Sequence, residues 1–403
     1  MRYWINFLHF FQPPNQIDIV IKTVARENYQ KVINILKKNP KAKIVLNINA
    51  CLTERLHWYG FDKLLKDITQ LAEKGQIEFV ESAKFHPILP LIPEKEIRRQ
   101  IELNHKTNKK YFGRVYKPKG FFPPEMFYTK KLASIVEDIG YKWLILDEIS
   151  YKGKLNGLKF NKIFKIKNTK NLKVIFRHRG LSRYFSFYKA IYKSDFLKAV
   201  KEKLEPGEYL VTAVDGEMFG HRYKNRERFL GNILRAPELK TITISELLRQ
   251  YKNNIEEIRT FPGCWITLEG EKISRLWNNP NNEIQILKWR LTNLVIKTIN
   301  KANERDYGYE EARKILDTFL YSCHYWWASC WPWWSLEEIE KGSRGLLMAI
   351  KALKDKKYQK AQKQAEKLYN KTMQIAIDWH LSGEAQRRID EFDRDFKDNW
   401  LDV

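Results

Sequence analysis

The chain is short of the features that define several large classes of protein. Its 403 residues include four cysteines, Cys51, Cys264, Cys323 and Cys330. None lies in a C-x-x-C pair, and four are too few for a disulfide framework at this length, so a reducing compartment is expected. There is no run of about 18 apolar residues to span a membrane. The opening stretch, MRYWINFLHFFQPP, follows one basic residue with an apolar run but lacks a small-residue cleavage site. It reads as a first buried strand, and the expected location is cytoplasmic. The eight histidines are scattered, with no H-x-x-x-H, no H-E-x-x-H and no Asp-Asp pair, so neither a metal nor another cofactor is expected. Acidic residues are also scarce, 48 against 73 basic ones, which leaves a formal charge of +25. That balance permits nucleic-acid binding. The lysines, however, are spread along the whole chain with no dense arm, many on solvated helix faces, and no nucleic-acid or membrane partner is expected. No internal repeat or low-complexity linker interrupts the chain.

What the chain does have is hydrophobic content for a real core and an excess of aromatics, with 13 Trp and 20 Tyr. Such aromatics either fill a core or offer stacking faces to sugar rings. Strand-like runs occur at 3–7, 44–48, 77–80, 120–122, 143–146, 173–176 and 209–214. Amphipathic stretches such as FDKLLKDITQLAEKGQ and YTKKLASIVEDIGY separate several of them, the second ending at Gly140, a helix-terminating residue. Seven strands alternating with helices predict an α/β fold, a parallel barrel with its chemistry at the carboxyl ends of the strands. Beyond about residue 282 the period becomes helical. EIQILKWRLTNLVIKTINKANE repeats apolar residues every three to four positions, and Ser335 and Glu338 have the spacing of a capping box. The expected domains are 1–282, a barrel, and 283–403, a C-terminal α-helical bundle.

Four polar clusters fall at predicted strand ends: LHFFQPP with His9 and Gln12, IEFVESAKFHPILPLIP with Glu78, Glu81 and His86, KGFFPPEMFY with Glu125, and VDGEMFGHRY with Asp215, Glu217 and His221. Each has a bland reading. A histidine beside a proline is commonly structural, an acid after Pro-Pro can be a helix N-terminal acid, and Asp-Gly often only ends a strand. Together they place one carboxylate after strand four and another after strand seven. Glycoside cleavage needs such a pair, one ionised to attack the anomeric carbon and one protonated to assist the leaving group.

In order and spacing these stretches resemble the motifs of glycoside hydrolase family 57: His9 to Pro13, GQIEFVESAKFHPILPLI, FFPPE, DGEMFGH, and YSCHYWWAS at 321–329. The resemblance implies a (β/α)7 barrel, an incomplete TIM-like barrel, followed by a helical domain, and a retaining enzyme for α-glycosidic bonds. It implies that Glu125 is the nucleophile and Asp215 the general acid/base. His9, Gln12, Glu78 and His86 match sugar-subsite positions, with His221 and Trp326 as further substrate contacts. An amylase-like action on α-glucan oligo- or polysaccharides is expected first. Transfer by a 4-α-glucanotransferase or branching enzyme, or α-galactosidase action, are the alternatives within the family. A metal-dependent polysaccharide deacetylase or an inactive sugar-binding protein would be alternatives of another class. The chain departs from the family pattern at Phe11, where many members have a histidine, at Arg222, which is aromatic in some, and in the tryptophan-free third motif. The tryptophan-rich WWASCWPWW reads either as packing or as a sugar platform.

Overall fold

A computed structural model describes residues 1–186, 192–270 and 275–395 of the chain. Its strands are β1 (Arg2–Phe10), β2 (Ile44–Ile48), β3 (Ile77–Val80), β4 (Gly120–Phe121), β5 (Trp143–Asp147), β6 (Ile163–Ile166), β7 (Lys173–Arg177), β8 (Leu210–Asp215), β9 (Leu239–Thr241) and β10 (Ile255–Ile258). The described chain forms two compact units. One comprises residues 1–84 and 89–270; the other comprises 85–88 and the described residues from 275 onward.

The first unit is α/β. One sheet runs β3-β2-β1-β8, with β9 against the start of β1; the other runs β10-β6-β7-β5-β4. Every strand pair is parallel except β6 with β7. The β-branched and leucine-rich runs of β2 and β5 are buried along their whole length, as strands covered on both faces must be. Past the strand ends, Glu81 N donates to Gly120 O at 2.9 Å and Phe122 N to Glu81 O at 2.8 Å, tying β3 to β4. His178 N donates to Val211 O at 2.9 Å, tying the end of β7 to β8. Helices follow the strands as amphipathic spacing requires. Asp62–Glu73 buries Leu64, Leu65, Ile68 and Leu71, and Lys130–Ile139 ends at Gly140 in the left-handed region.

All seven expected strands are present, and the structure adds β6, β9 and β10. These three are short, and β10 carries Glu256 and Glu257 on a largely exposed edge, which hides the strand signal. The second unit is helical. Its helix Glu283–Lys301 buries Ile284, Leu287, Leu291, Val295 and Ile299, the three-to-four repeat of its sequence. Ser335 caps the helix Leu336–Lys351 by accepting from Glu338 N at 3.2 Å, but its own amide donates to Trp327 O rather than closing the expected capping box. The complete capping box lies elsewhere, between Thr243 and Glu246.

Candidate active site

Asp215 is the last residue of β8 and pairs in register with His9 on β1. The glycine that follows it is needed for steric reasons. A Cβ on Gly216 would lie 2.3 Å from a ring carbon of Phe10. Gly220 is required twice over, because its φ of 114° is left-handed and a Cβ there would meet Glu27 O at 2.4 Å. The opposing wall is a π-helical turn, Ala25–Tyr29, a local form found often at functional sites. From it Asn28 Nδ2 donates to Gly216 O and Phe219 O, both at 2.6 Å, and Glu27 Oε2 meets His221 Nδ1 at 2.9 Å. The Asp215 turn is thus fixed both by its own glycines and by side chains of another segment.

Burial raises the pKa of Asp215, while the positive charges of Arg222 and Arg177 oppose that rise without cancelling it. Glu217 is held differently. Gln12 Nε2 donates to its Oε2 at 2.8 Å, and Arg222 donates from Nε at 2.9 Å and from Nη2 at 2.6 Å to its Oε1. Glu217 is the anchored carboxylate of the pair and Asp215 the desolvated one. His9 is buried, bonded through Nδ1 to Asn47 Oδ1 at 2.7 Å. Burial pushes its pKa down to about 4 despite Asn47 and Glu217, so it is neutral at pH 7.

Glu125 follows β4 in the short turn Pro124–Met126. Its φ of 60° and ψ of 14°, followed by Met126 at φ 50°, form a left-handed pair that non-glycine residues adopt at a cost of about 1–3 kcal/mol each. Two prolines before it restrict the approaching backbone. Trp265 Nε1 donates to Glu125 Oε2 at 2.9 Å, and Trp265 N lies 3.3 Å from Glu125 O. The Trp265 indole also lies edge-on to the His9 imidazole, with centroids 6.4 Å apart. At the carboxyl ends of parallel strands, His9 is thus in register with Asp215, Gln12 bonds to Glu217, and Trp265 contacts both the His9 ring and the Glu125 carboxylate.

The other expected site residues are distributed more widely. Glu78 lies two residues back along β3, and its carboxylate accepts from both Ser245 Oγ and Ser245 N, which draws it toward the start of the helix Ile244–Gln250. Burial nevertheless raises its pKa. His221 is bonded to Glu27. His86 and Trp326 belong to the second unit. There, His86 Nδ1 lies 3.0 Å from Ser322 Oγ, and Trp326 packs on Trp327 and Trp333 at 5.1 and 4.5 Å between centroids. Sequence reading missed Trp265, Asn47, Asn28 and Arg177. PGCWITL holds one tryptophan in a plain loop, and nothing in its spacing points to Glu125, 140 residues earlier. Among the described residues no group of three His, Cys, Asp or Glu is placed to hold a metal ion.

The fold and the site together define an α/β scaffold with two carboxylates, one desolvated and one hydrogen-bonded by an indole, at the carboxyl ends of parallel strands. The chain belongs to glycosyl hydrolase family 57, whose model matches residues 12–259. It is 31% identical over 147 residues to alpha-amylase 1 of Dictyoglomus thermophilum, a match covering 36% of this chain and 21% of that protein. Among solved structures it resembles a 4-alpha-glucanotransferase from Thermococcus litoralis, with a TM-score of 0.71 and 16% identity, over 88% of this chain and 60% of that one. It also resembles a branching enzyme from Pyrococcus horikoshii, with a TM-score of 0.70 and 17% identity, over 92% and 94% of the two chains. The structural likenesses, at these identities, establish the fold, and the curated relative is matched over about a fifth of its length.

Proposed function

We propose that the chain is a retaining glycosidase acting on α-glucans, with Glu125 as nucleophile and Asp215 as general acid/base. The observation that carries this reading is the contrast between the two carboxylates. Asp215 is desolvated and has a raised pKa, as a proton donor requires, whereas Glu125 accepts an indole N–H bond that favours its ionised form. In the first step a Glu125 oxygen bonds to the anomeric carbon as the glycosidic C–O bond breaks, and the Asp215 proton passes to the departing oxygen. In the second, Asp215 takes a proton from water as the water oxygen displaces Glu125. Neutral His9 and Gln12 supply hydrogen bonds to sugar hydroxyls. Glu78 and His221 are proposed as further substrate contacts of the first unit, and His86 and Trp326 as sugar contacts of the second.

The same reading extends to the architecture. The bonds from Glu81 to Gly120 and Phe122, and from His178 to Val211, support a seven-stranded (β/α)7 ring made of β1, β2, β3, β4, β5, β7 and β8. The catalytic domain is proposed to run to about residue 282, with a helical bundle at 283–403. None of the four cysteines is in a disulfide, in keeping with a reducing, cytoplasmic setting, and no described helix is long and apolar enough to cross a membrane.

The test is a product analysis with maltooligosaccharides, glycogen and an α-galactoside, run beside Glu125→Gln. Smaller products from the wild type alone support hydrolysis, larger ones move the assignment to transfer, and no conversion of any substrate overturns it. A crystal structure should place the two carboxyl groups about 5–5.5 Å apart; about 9 Å would contradict a retaining mechanism.

A further inference from the structure

A buried ionic cluster lies behind Glu125. Asp147 ends β5 and is fully buried. Arg177, its register partner on β7, donates from Nε to Asp147 Oδ2 at 2.6 Å. Arg179, also fully buried, donates from Nη2 to Oδ1 at 2.5 Å and from Nε to Oδ1 and Oδ2 at 3.0 and 3.2 Å. Buried charges this closely paired could be core architecture and nothing more. What argues otherwise is where the remaining guanidinium donors go.

Arg177 Nη2 donates to Trp265 O at 2.9 Å, Arg179 Nη1 to Thr267 O at 2.8 Å, and Arg179 Nη2 lies 3.4 Å from Cys264 O. Three carbonyl groups within four residues of one loop are thus gripped by two arginines that share one carboxylate. The Arg177 guanidinium also lies 5.3 Å from the Trp265 ring centre. The loop is closed on itself by Thr267 Oγ1, which accepts from Cys264 N at 2.9 Å. Its start is pinned by the Tyr128–Gly263 bridge, three residues beyond Glu125. Arg177 Nη1 reaches Ala213 O at 3.0 Å, two residues before Asp215. One buried carboxylate thereby governs the backbone under both proposed catalytic groups.

We propose that Asp147, acting through Arg177 and Arg179, is a positioning residue that holds the Cys264–Thr267 loop so that the Trp265 N–H is presented to the Glu125 carboxylate. The inference rests on Glu125 being the nucleophile. The unit is specific in direction: Asp147 orients the arginines, the arginines hold the loop carbonyls, and the loop aims the indole. Of these four residues, Trp265 is the one whose side chain bonds to Glu125.

The test compares Trp265→Phe, Asp147→Asn and the double variant, with maltooligosaccharide as substrate. Each single variant is expected to lower kcat about tenfold with KM changed less than about twofold. Each should also move the acid limb of the kcat/KM profile up by about one pH unit, the effect of losing one hydrogen bond to a carboxylate. Because both act along one line, the double variant should be no worse than Trp265→Phe alone. A second readout needs no substrate. In protein carrying isotope-labelled tryptophan, the indole N–H resonance lost in Trp265→Phe should shift with pH in the wild type, stop doing so in Glu125→Gln, and move in Asp147→Asn. Should Asp147→Asn not fold, Arg177→Lys keeps the positive charge but cannot span Trp265 O and Ala213 O, and the same shifts are expected of it. The proposal is overturned if the variant that folds loses thermal stability while the indole resonance and acid limb remain those of the wild type. Failure of the wild type to cleave any α-glucan would instead sink the functional reading, with the resonance still reporting on the network.

Discussion

The two units bury charge in opposite ways. In the α/β unit Asp147 is enclosed with Arg177 and Arg179, and although burial opposes its charge the two guanidinium groups outweigh that and hold its carboxyl below the usual range. In the helical unit Lys288 is also fully buried, but its ammonium donates to neutral acceptors, Ile339 O at 3.1 Å and Ser343 Oγ at 3.3 Å, beside the Tyr325 ring. Glu338 and Glu340 act on it only through space, and burial pushes its pKa down to about 7. A buried charge persists where a counter-charge is in contact, and elsewhere the group moves toward its neutral form. The proposed roles follow the same division: the paired cluster has donors left over to grip the loop that carries Trp265, whereas Lys288 donates to groups of its own helical unit.

The largest expected contrast is therefore in turnover. Glu125→Gln and Asp215→Asn should each reduce kcat/KM by at least about 10³-fold, whereas Lys288→Met should leave it within about twofold. Steady-state kinetics on a maltooligosaccharide checks both, and retention of more than a tenth of the activity by Asp215→Asn would falsify its role as the acid. Stability should divide the same way. Asp147→Asn strands two buried guanidinium groups and should destabilise its unit by about 3–5 kcal/mol, whereas Lys288→Met should be neutral or stabilising. Thermal unfolding followed in both variants would break the comparison if Lys288→Met proved the more damaging.

The pH dependence sharpens the comparison because the two units carry opposite signs. Glu148, beside Asp147, is raised to about 7 by burial and by Asp147. A carboxyl whose pKa is higher folded than unfolded stabilises fully below the unfolded value, near 4.5, and that contribution is lost as pH rises to about 7. Lys288 has a folded value below its unfolded one, so its contribution is full above about 10.5 and is lost as pH falls toward 7. Each effect amounts to several kcal/mol. Denaturation measured across pH should therefore show Glu148→Gln flattening the acid-side slope and Lys288→Met the alkaline one. If either variant kept the wild-type slope, that group would not be the source of it.

Much of this was legible in the sequence, and the exceptions have a common cause. The seven strands could be read because they are buried, β-branched runs bounded by turns, and Asp215 and Glu125 because a strand end followed by a glycine or after paired prolines is a local signal. Trp265, Asp147, Arg177 and Arg179 could not be read as one unit, because their connection runs through backbone carbonyls 85 to 88 residues away, and a carbonyl has no residue type. Glu78 shows the converse. Its motif is local and recognisable, but which partner its carboxylate takes depends on a serine 167 residues further on. Residue type and spacing reveal who can do chemistry; the supporting contacts exist only once strands from distant sequence lie side by side.

The smallest expected effect concerns Arg222, where the chain departs from the aromatic residue of some family members. Burial works against its charge, but Glu217 and Asp215 together hold the guanidinium pKa up, and in return it draws the Asp215 pKa down. Removing it in Arg222→Gln should let Asp215 keep its proton to higher pH. A general acid is lost as pH rises through its pKa, so the alkaline limb of kcat/KM should move up, by roughly half a unit. The shift is modest because the Arg222 side chain is 48% exposed and its field is screened by water and salt. Salt provides the internal control: raising ionic strength should move the wild-type limb in the same direction and leave the variant nearly unmoved. An alkaline limb that stayed in place in Arg222→Gln, while Asp215→Asn abolished turnover, would mean that the acid is tuned by burial and Arg177 and that Arg222 serves only to anchor Glu217.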